Sequence, residues 1–225
     1  MTINRGNSFI YICYPRTGTH FIREWLHKCF NSEEVQASGY DYPFPNDTHL
    51  PIIHISKKER DRHFKWGMIR NPFDFYVSWW AMWHKDRLFK EWLIWARTKR
   101  GDTFHNYIDY GQMKKFDIGA CTWWFIRLFC DYEKLFALDS LDNVDLKEEC
   151  LIDEVVTYEN FRDEINLMFR KYLIPLTEEQ IILLESNERL ANSEHDKWQE
   201  YYDNESIKLV LHKDRLIFKM FPQYV

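Results

Sequence analysis

The chain has 225 residues, enough for one sizeable hydrophobic core. Hydrophobic residues at 45% and charged residues at 29% are ordinary for a globular protein, whereas 18% aromatic residues, including ten tryptophans, is unusually high. The net charge of −5 excludes a general attraction to nucleic acid or to an anionic membrane, so any anion site must be local.

The predicted elements alternate between strand and helix. "SFIYICY" (8–14), a short continuous apolar run, predicts a buried strand, and "THFIREWLHKCF" (19–30) has its apolar residues at helical spacing. "LPIIHIS" (50–56) and "FKWGMIRN" (64–71) predict two more strands. The second of these leads into a helix, "FDFYVSWWAMWHK" (73–85).

The C-terminal half continues the alternation. "DEVVTYENF" (153–161) predicts a fourth strand, "RDEINLMFRKYL" (162–173) a helix, and "ESIKLVLHKDRLIFKMF" (205–221) further helix. Strands alternating with helices favour a parallel sheet covered on both faces. We therefore predict an α/β fold, a single three-layer αβα domain over residues 1–225 with a P-loop-like loop.

The cysteines and the chain ends bear on the compartment. Five cysteines without Cys-x-x-Cys spacing favour reduced thiols over a disulfide framework or a zinc site. The N-terminus has no signal-peptide core, and no apolar run reaches membrane-spanning length. These features predict a cytoplasmic protein with no membrane or nucleic-acid partner.

A candidate anion site follows the first strand, in "YPRTGTH" (14–20). A strand–helix junction at the carboxyl end of a parallel sheet is where ligands bind, and the helix N-terminus attracts anions. Gly18 allows close backbone approach, Thr17 and Thr19 carry hydroxyl donors, and Arg16 carries a fixed charge. The alternative is an ordinary N-cap turn. The pattern GxxxxGK[ST] of P-loop nucleoside triphosphatases is missing, so the loop is not of that type.

A second junction occurs in "MIRNPFDFYVSWW" (68–80), where a strand ending at Arg70 passes into a helix. Pro72 suits the first helical turn. Arg70 and Ser78 could then reach a second phosphate beside the first loop. Taken singly, each has another explanation: an ion pair for Arg70 and a helix face for Ser78.

Together, "PRTGTH" (15–20) and the pattern RNPxDxxxS (70–78) resemble the two phosphate-binding segments of the PAPS-dependent sulfotransferases, of the cytosolic type and its bacterial and phage-like members. PAPS is 3′-phosphoadenosine-5′-phosphosulfate. The resemblance covers most of the chain and is strongest in residues 9–30 and 64–80. It implies transfer of a sulfuryl group from PAPS to a hydroxyl or amine of a glycan or small-molecule acceptor, without a metal.

The resemblance also implies which residues bind PAPS. The first loop would hold the 5′-phosphosulfate, an aromatic residue would stack on adenine, and the second segment would hold the 3′-phosphate. In that order the matching residues are Arg16, Thr17, Gly18, Thr19 and His20, then Phe21, then Arg70 and Ser78, with Tyr158 near the adenine. The family's closing Arg-Lys-Gly loop is not plainly present. Its remnant, "RLANSEHDKW" (189–198), offers Arg189, Asn192 and Ser193 as weaker candidates.

The transfer needs a base near neutral pKa, which favours histidine, while Arg16 would stabilise the leaving phosphate. "THLP" (48–51) matches the family's catalytic string and carries His49, although the family's lysine two residues earlier is absent. "LPIIHIS", as a strand, would place His54 beside the loop. We favour His54 because delivery by a strand is a geometric argument. A third histidine, His20, is better placed for cofactor contact.

The acceptor and the activity leave alternatives open. The tryptophans of 79–95 are spaced as a helical stripe, which fits a core or a pocket. Cations within 84–130 fit an anionic or sugar acceptor, or a solvated helix face. A kinase-like phosphotransferase and a catalytically inactive PAP-binding module are the alternative functions.

Overall fold

The computed structural model describes residues 1–35, 49–95, 110–186 and 195–225. Within these ranges, one five-stranded sheet has the order β3-β1-β2-β4-β5. The strands are β1 (Thr2–Asn4), β2 (Phe9–Ile12), β3 (Glu33–Glu34), β4 (Phe64–Ile69) and β5 (Glu154–Thr157). β2, β4 and β5 pair in parallel, and β1 pairs antiparallel with β2 and β3. The predicted α/β class, a central sheet of mostly parallel strands flanked by helices, is confirmed.

Helices fill most of the remaining described chain. In order they are α1 (Thr19–Phe30), α2 (Lys57–Arg62), α3 (Pro72–Trp83), α4 (Phe89–Trp95), α5 (Tyr110–Phe116), α6 (Ala120–Phe129), α7 (Tyr132–Phe136), α8 (Leu146–Glu149), α9 (Phe161–Lys171), α10 (Glu178–Glu185), α11 (Asn204–Lys213) and α12 (Arg215–Met220).

The described residues form two compact units. The first draws on Met1–Arg70, Leu128–Asp131 and Cys150–Asn192, and it contains the whole sheet. The second draws on Asn71–Arg127, Tyr132–Glu149 and Ser193–Val225 and is helical. The prediction of one domain over residues 1–225 stays a prediction.

The core of the first unit lies on one face of the sheet. Phe9 and Tyr11 of β2 and Cys13 just after it alternate toward this face, as the two-residue period of a strand requires, and Trp66 and Met68 of β4 join them. The Tyr11 and Trp66 rings lie 4.5 Å apart. Helices α1, α9 and α10 cover the face through Ile22, Trp25, Leu26, Ile165, Met168, Phe169 and Leu184.

The second unit is organised around a buried carboxylate. Asp214, fully buried, accepts hydrogen bonds from the Tyr76 hydroxyl at 2.8 Å and from the backbone and hydroxyl of Thr122, each at 2.8 Å. The Tyr76 oxygen also accepts from the backbone N–H of Ala120 at 2.9 Å. These bonds satisfy N–H groups in the first turn of α6 that the helix itself cannot pair.

The tryptophan stripe is partly core. Trp79 and Trp92 are buried and pack with their ring centroids 5.9 Å apart, whereas Trp83 is 56% exposed. The stripe therefore supplies much of the core of the second unit, in line with its interpretation as a core rather than a pocket.

The predicted strand at 50–56 is wrong. Ile52–His54 form a 3₁₀ turn, in which the His54 N–H donates to the Pro51 carbonyl at 3.1 Å. Ile52 and Ile55 are buried at a spacing of three, the period of a 3₁₀ turn. A short apolar run does not by itself distinguish a buried strand from a buried turn. The short strands β1 and β3 went unpredicted.

Gly67 of β4 lies against a ring on the other face of the sheet. A Cβ atom here would lie 2.6 Å from Cε1 and Cζ of Phe129. That ring also packs against Tyr14, with centroids 5.7 Å apart. The contact leaves no space for a methyl group unless the Phe129 ring moves.

We expect Gly67→Ala to lower the free energy of unfolding by about 1–3 kcal/mol, the usual cost of overpacking a core. The measurement is the midpoint of urea unfolding. Gly6→Ala is the matched control, because its Cβ would meet Asn4 Oδ1 only at 3.6 Å. Equal midpoints for the two variants would contradict the packing argument.

Candidate anion-binding site

The loop between β2 and α1 has the backbone of an anion cradle. Arg16 and Gly18 both lie in the left-handed region, at φ 63° and 67°, and Thr17 between them does not. Alternation of this kind turns successive N–H groups toward one side and forms a concavity for anions. Glycine adopts this backbone freely, whereas Arg16 does so at a cost of about 1–2 kcal/mol.

The N-terminus of α1 adds donors to the cradle. No side chain caps this end, and its first turn holds no acidic residue. The N–H groups of residues 19–21 therefore have no intrahelical partner, and the helix dipole makes this end partially positive.

The two threonine hydroxyls of the loop donate to the protein backbone. Thr17 and Thr19 both donate to the carbonyl of Tyr14, each at 2.8 Å. Thr17 is fully buried and Thr19 nearly so. Their hydroxyl hydrogens thus hold the loop in shape, and the backbone N–H groups are the donors that the geometry offers to a ligand.

Arg70 is fixed at the carboxyl end of β4 by two contacts. It is 8% exposed, and its Nη1 donates to the Arg16 carbonyl at 3.1 Å. Its Cζ lies 4.5 Å from the centroid of the Tyr158 ring, a cation–π contact. Parallel pairing of β4 with β2 and β5 brings the three segments together, because parallel strands end at the same edge.

Arg16 carries its charge at an electrostatic cost. Burial first and then the Arg70 charge lower the pKa of its guanidinium, and Tyr158 opposes the shift, so that the pKa lies at about 10. A like charge nearby and loss of solvent both disfavour the charged form of Arg16. A bound anion would relieve both effects, and perturbed groups of this kind concentrate at functional sites.

An aromatic group adjoins the two arginines. The Tyr158 and Phe161 rings stack at 5.9 Å, and Phe21 meets the Phe161 edge at 6.1 Å. A Cβ on Gly18 would lie 3.3 Å from Tyr158 Cε2, so the loop passes directly beside this group. Sequence reasoning missed Phe161; its position three residues after Tyr158, one helical turn, was the available signal.

The histidines differ in how they are held. His49, half-buried, has its Nδ1 2.7 Å from the carbonyl oxygen of Cys13, just before the loop. His54 lies in the 3₁₀ turn, so the strand that was expected to deliver it is absent. His20 is exposed on the first turn of α1.

The remaining predicted residues lie elsewhere. Ser78 is fully buried on α3, in the second unit, and its phosphate contact stays a prediction. Arg189, Asn192 and Ser193 fall outside the described residues.

Two features are absent from the described part of the chain. Residues 1–35, 49–95, 110–186 and 195–225 contain no group of three or more His, Cys, Asp or Glu side chains placed to hold a metal ion. No helix in these same ranges has the length and apolar character needed to cross a membrane.

Comparisons with known proteins identify no family for this chain. No protein-family model and no curated protein matches the chain. Among solved structures, the chain is similar to mouse sulfotransferase SULT7A1 complexed with PAP, with a TM-score of 0.47 and 13% identity over 97% of this chain and 88% of that one. At this level the likeness identifies neither the activity nor the ligand of this chain.

If the Arg16 charge is costly without a ligand, Arg16→Met should raise the free energy of unfolding by about 1–2 kcal/mol. The substitution keeps an unbranched apolar stem at this position and removes the guanidinium with its charge and its N–H donors. Urea unfolding in a buffer free of phosphate and sulfate measures this. Arg16→Lys, which keeps the charge, should change little. A destabilised Arg16→Met would mean that the protein itself already compensates the charge.

Proposed function

We propose that this protein is a PAPS-dependent sulfotransferase that moves a sulfuryl group to a hydroxyl or amine of a glycan or small-molecule acceptor. The observation that carries the proposal is the convergence of Arg16 and Arg70 on one loop, where Arg70 donates to the Arg16 carbonyl. PAPS has two separate anionic groups on one nucleotide, so it calls for two separate cations. The motifs "PRTGTH" and RNPxDxxxS supply the family assignment.

The 5′-phosphosulfate would bind in the cradle of Arg16–Gly18 and the N-terminus of α1. Backbone N–H groups and the Arg16 guanidinium would share its negative charge, as donors at a fixed site do for a leaving phosphate. The like charges of Arg16 and Arg70 fit such a ligand, because the pKa of Arg16 is already lowered by the burial and repulsion that an anion would offset.

Arg70 would bind the 3′-phosphate and the aromatic group would bind adenine. The Arg70 guanidinium is already oriented by its contacts with the Arg16 carbonyl and the Tyr158 ring, so little side-chain entropy is lost when the phosphate binds. Phe21 and Tyr158 both contact Phe161, which places flat apolar surface beside the loop.

For the base, we now propose His49 ahead of His54. A proton on Nδ1, donated to the Cys13 carbonyl at 2.7 Å, leaves the lone pair on Nε2, as a general base requires. The case for His54 depended on a strand, and residues 52–54 form a turn instead. His54 stays the alternative.

The first test is ligand-dependent thermal stability. PAP or PAPS should raise the Tm without added magnesium, since a ligand stabilises the state that binds it. ATP with magnesium should raise it less. A rise with ATP–magnesium and none with PAP would favour the kinase-like alternative. Binding of PAP without turnover across a broad glycan, phenol and amine screen would favour an inactive binding module.

Arg70→Ala should weaken PAP binding by about 2–3 kcal/mol, through lost charge-assisted hydrogen bonds to the 3′-phosphate. Adenosine 5′-phosphosulfate lacks that phosphate, so calorimetry should show a much smaller loss for it. Arg62→Ala, an exposed arginine on α2, is the control and should affect neither ligand. Equal losses for both ligands would contradict the assignment of Arg70.

His49→Ala should reduce turnover by about 10²–10⁴-fold and leave PAP affinity nearly unchanged, because a base acts on the acceptor proton. His54→Ala serves as the comparison and should have a modest effect. The measurement is steady-state transfer to an acceptor from the screen. The opposite pattern would restore His54 as the base.

A further inference from the structure

Cys130 and Cys150 face each other across an isolated antiparallel bridge in the first unit. The Leu151 N–H donates to the Phe129 carbonyl at 2.7 Å, so the hydrogen bond joins the residues that flank the pair. That places the two cysteines at a non-hydrogen-bonded position, where opposed Cα atoms are about 4.5 Å apart and the side chains approach most closely.

This spacing lies within the range that a disulfide can bridge, about 4.4–6.8 Å between Cα atoms. Both residues are free thiols in the structure. Cys130 is fully buried, whereas Cys150 is only partly buried. Of the two residues, Cys150 is therefore the better placed to meet a reagent from solution first.

The environment of Cys150 favours its reactive form. A hydrogen bond from the Cys130 side chain lowers the pKa of the Cys150 thiol and a backbone hydrogen bond from Ile152 adds to this, while burial and the Asp153 charge oppose it. Cys29 is also half-buried, but burial first and then the Glu179 charge raise its pKa to about 11. The thiolate is the nucleophile in disulfide exchange, so these two half-buried thiols differ in reactivity.

We propose that Cys130 and Cys150 are a reversible redox pair that forms a disulfide by exchange with a low-molecular-weight disulfide of the glutathione type. The proposal is independent of the sulfotransferase assignment.

The chemistry is a two-step exchange. The Cys150 thiolate attacks one sulfur of the small disulfide, forming a mixed disulfide and releasing one small thiolate, which takes up a proton. Cys130 then loses its proton and attacks the Cys150 sulfur, releasing the second small thiol. Two protein thiols are oxidised to one disulfide, and one small disulfide is reduced to two thiols.

The bond would close a defined part of the chain. The chain leaves the first unit after Asp131 and returns to it at Cys150. The disulfide would therefore link the point where the chain leaves this unit to the point where it comes back. Cys130 also follows Phe129, whose ring packs against Tyr14 at the start of the anion loop. Oxidation would thus fix the backbone that supports this loop.

The test is titration of the full chain with oxidised glutathione, then alkylation under denaturing conditions and peptide mass spectrometry. We expect a Cys130–Cys150 cross-linked peptide that dithiothreitol removes. Brief labelling of the reduced protein with iodoacetamide at neutral pH should modify Cys150 about tenfold faster than Cys29, or more.

Two variants complete the design. Cys29→Ser, the matched control, should form the same cross-link at the same glutathione ratio. Cys130→Ser should trap Cys150 as a mixed disulfide with glutathione, because the resolving thiol is gone. The proposal is overturned if wild-type protein keeps both thiols free while Cys29 is oxidised, or if its Cys150 stops at the mixed disulfide. The wild-type result decides even if Cys130→Ser does not fold.

Discussion

The contact between Arg70 and the Arg16 carbonyl is the constraint on which the candidate site depends. It joins the end of β4 to the loop after β2, and the stacking of Arg70 on Tyr158 adds the segment after β5. Three consecutive parallel strands are thereby tied together at one edge. Because this tie is itself a cation, it both orders the loop and brings a second positive charge toward Arg16.

That arrangement stabilises the backbone of the loop but places the Arg16 side chain in an unfavourable electrostatic environment. The carbonyl of Arg16 gains a charge-assisted hydrogen bond, while its guanidinium is partly buried beside a like charge, as its pKa of about 10 reflects. Its left-handed backbone adds a further cost. Costs that collect on one short loop without improving the packing of the core are typical of a site shaped for a ligand.

The sequence predicted the parts of this site that local pattern determines. The apolar runs around Phe9 and Trp66 and the Pro15–Gly18 junction specify strand, loop and helix directly. The pattern could not place His54, because a buried 3₁₀ turn and a buried strand share the same apolar composition. Phe161 was missed for another reason: its spacing from Tyr158 is a local signal, but its contact with Phe21 joins two segments far apart in the sequence.

The cysteines show the same limit. An odd number without Cys-x-x-Cys spacing favours reduced thiols, and no disulfide joins any two of the five in the structure. Yet Cys130 and Cys150 are separated in the sequence by a segment that includes two helices, so no short spacing motif could reveal that they pair. Composition describes the five thiols as a set, whereas the register of the isolated bridge decides which two lie opposite each other. The sequence therefore cannot show which thiols form the proposed redox pair. Only the fold, which places two cysteines opposite each other, identifies that pair.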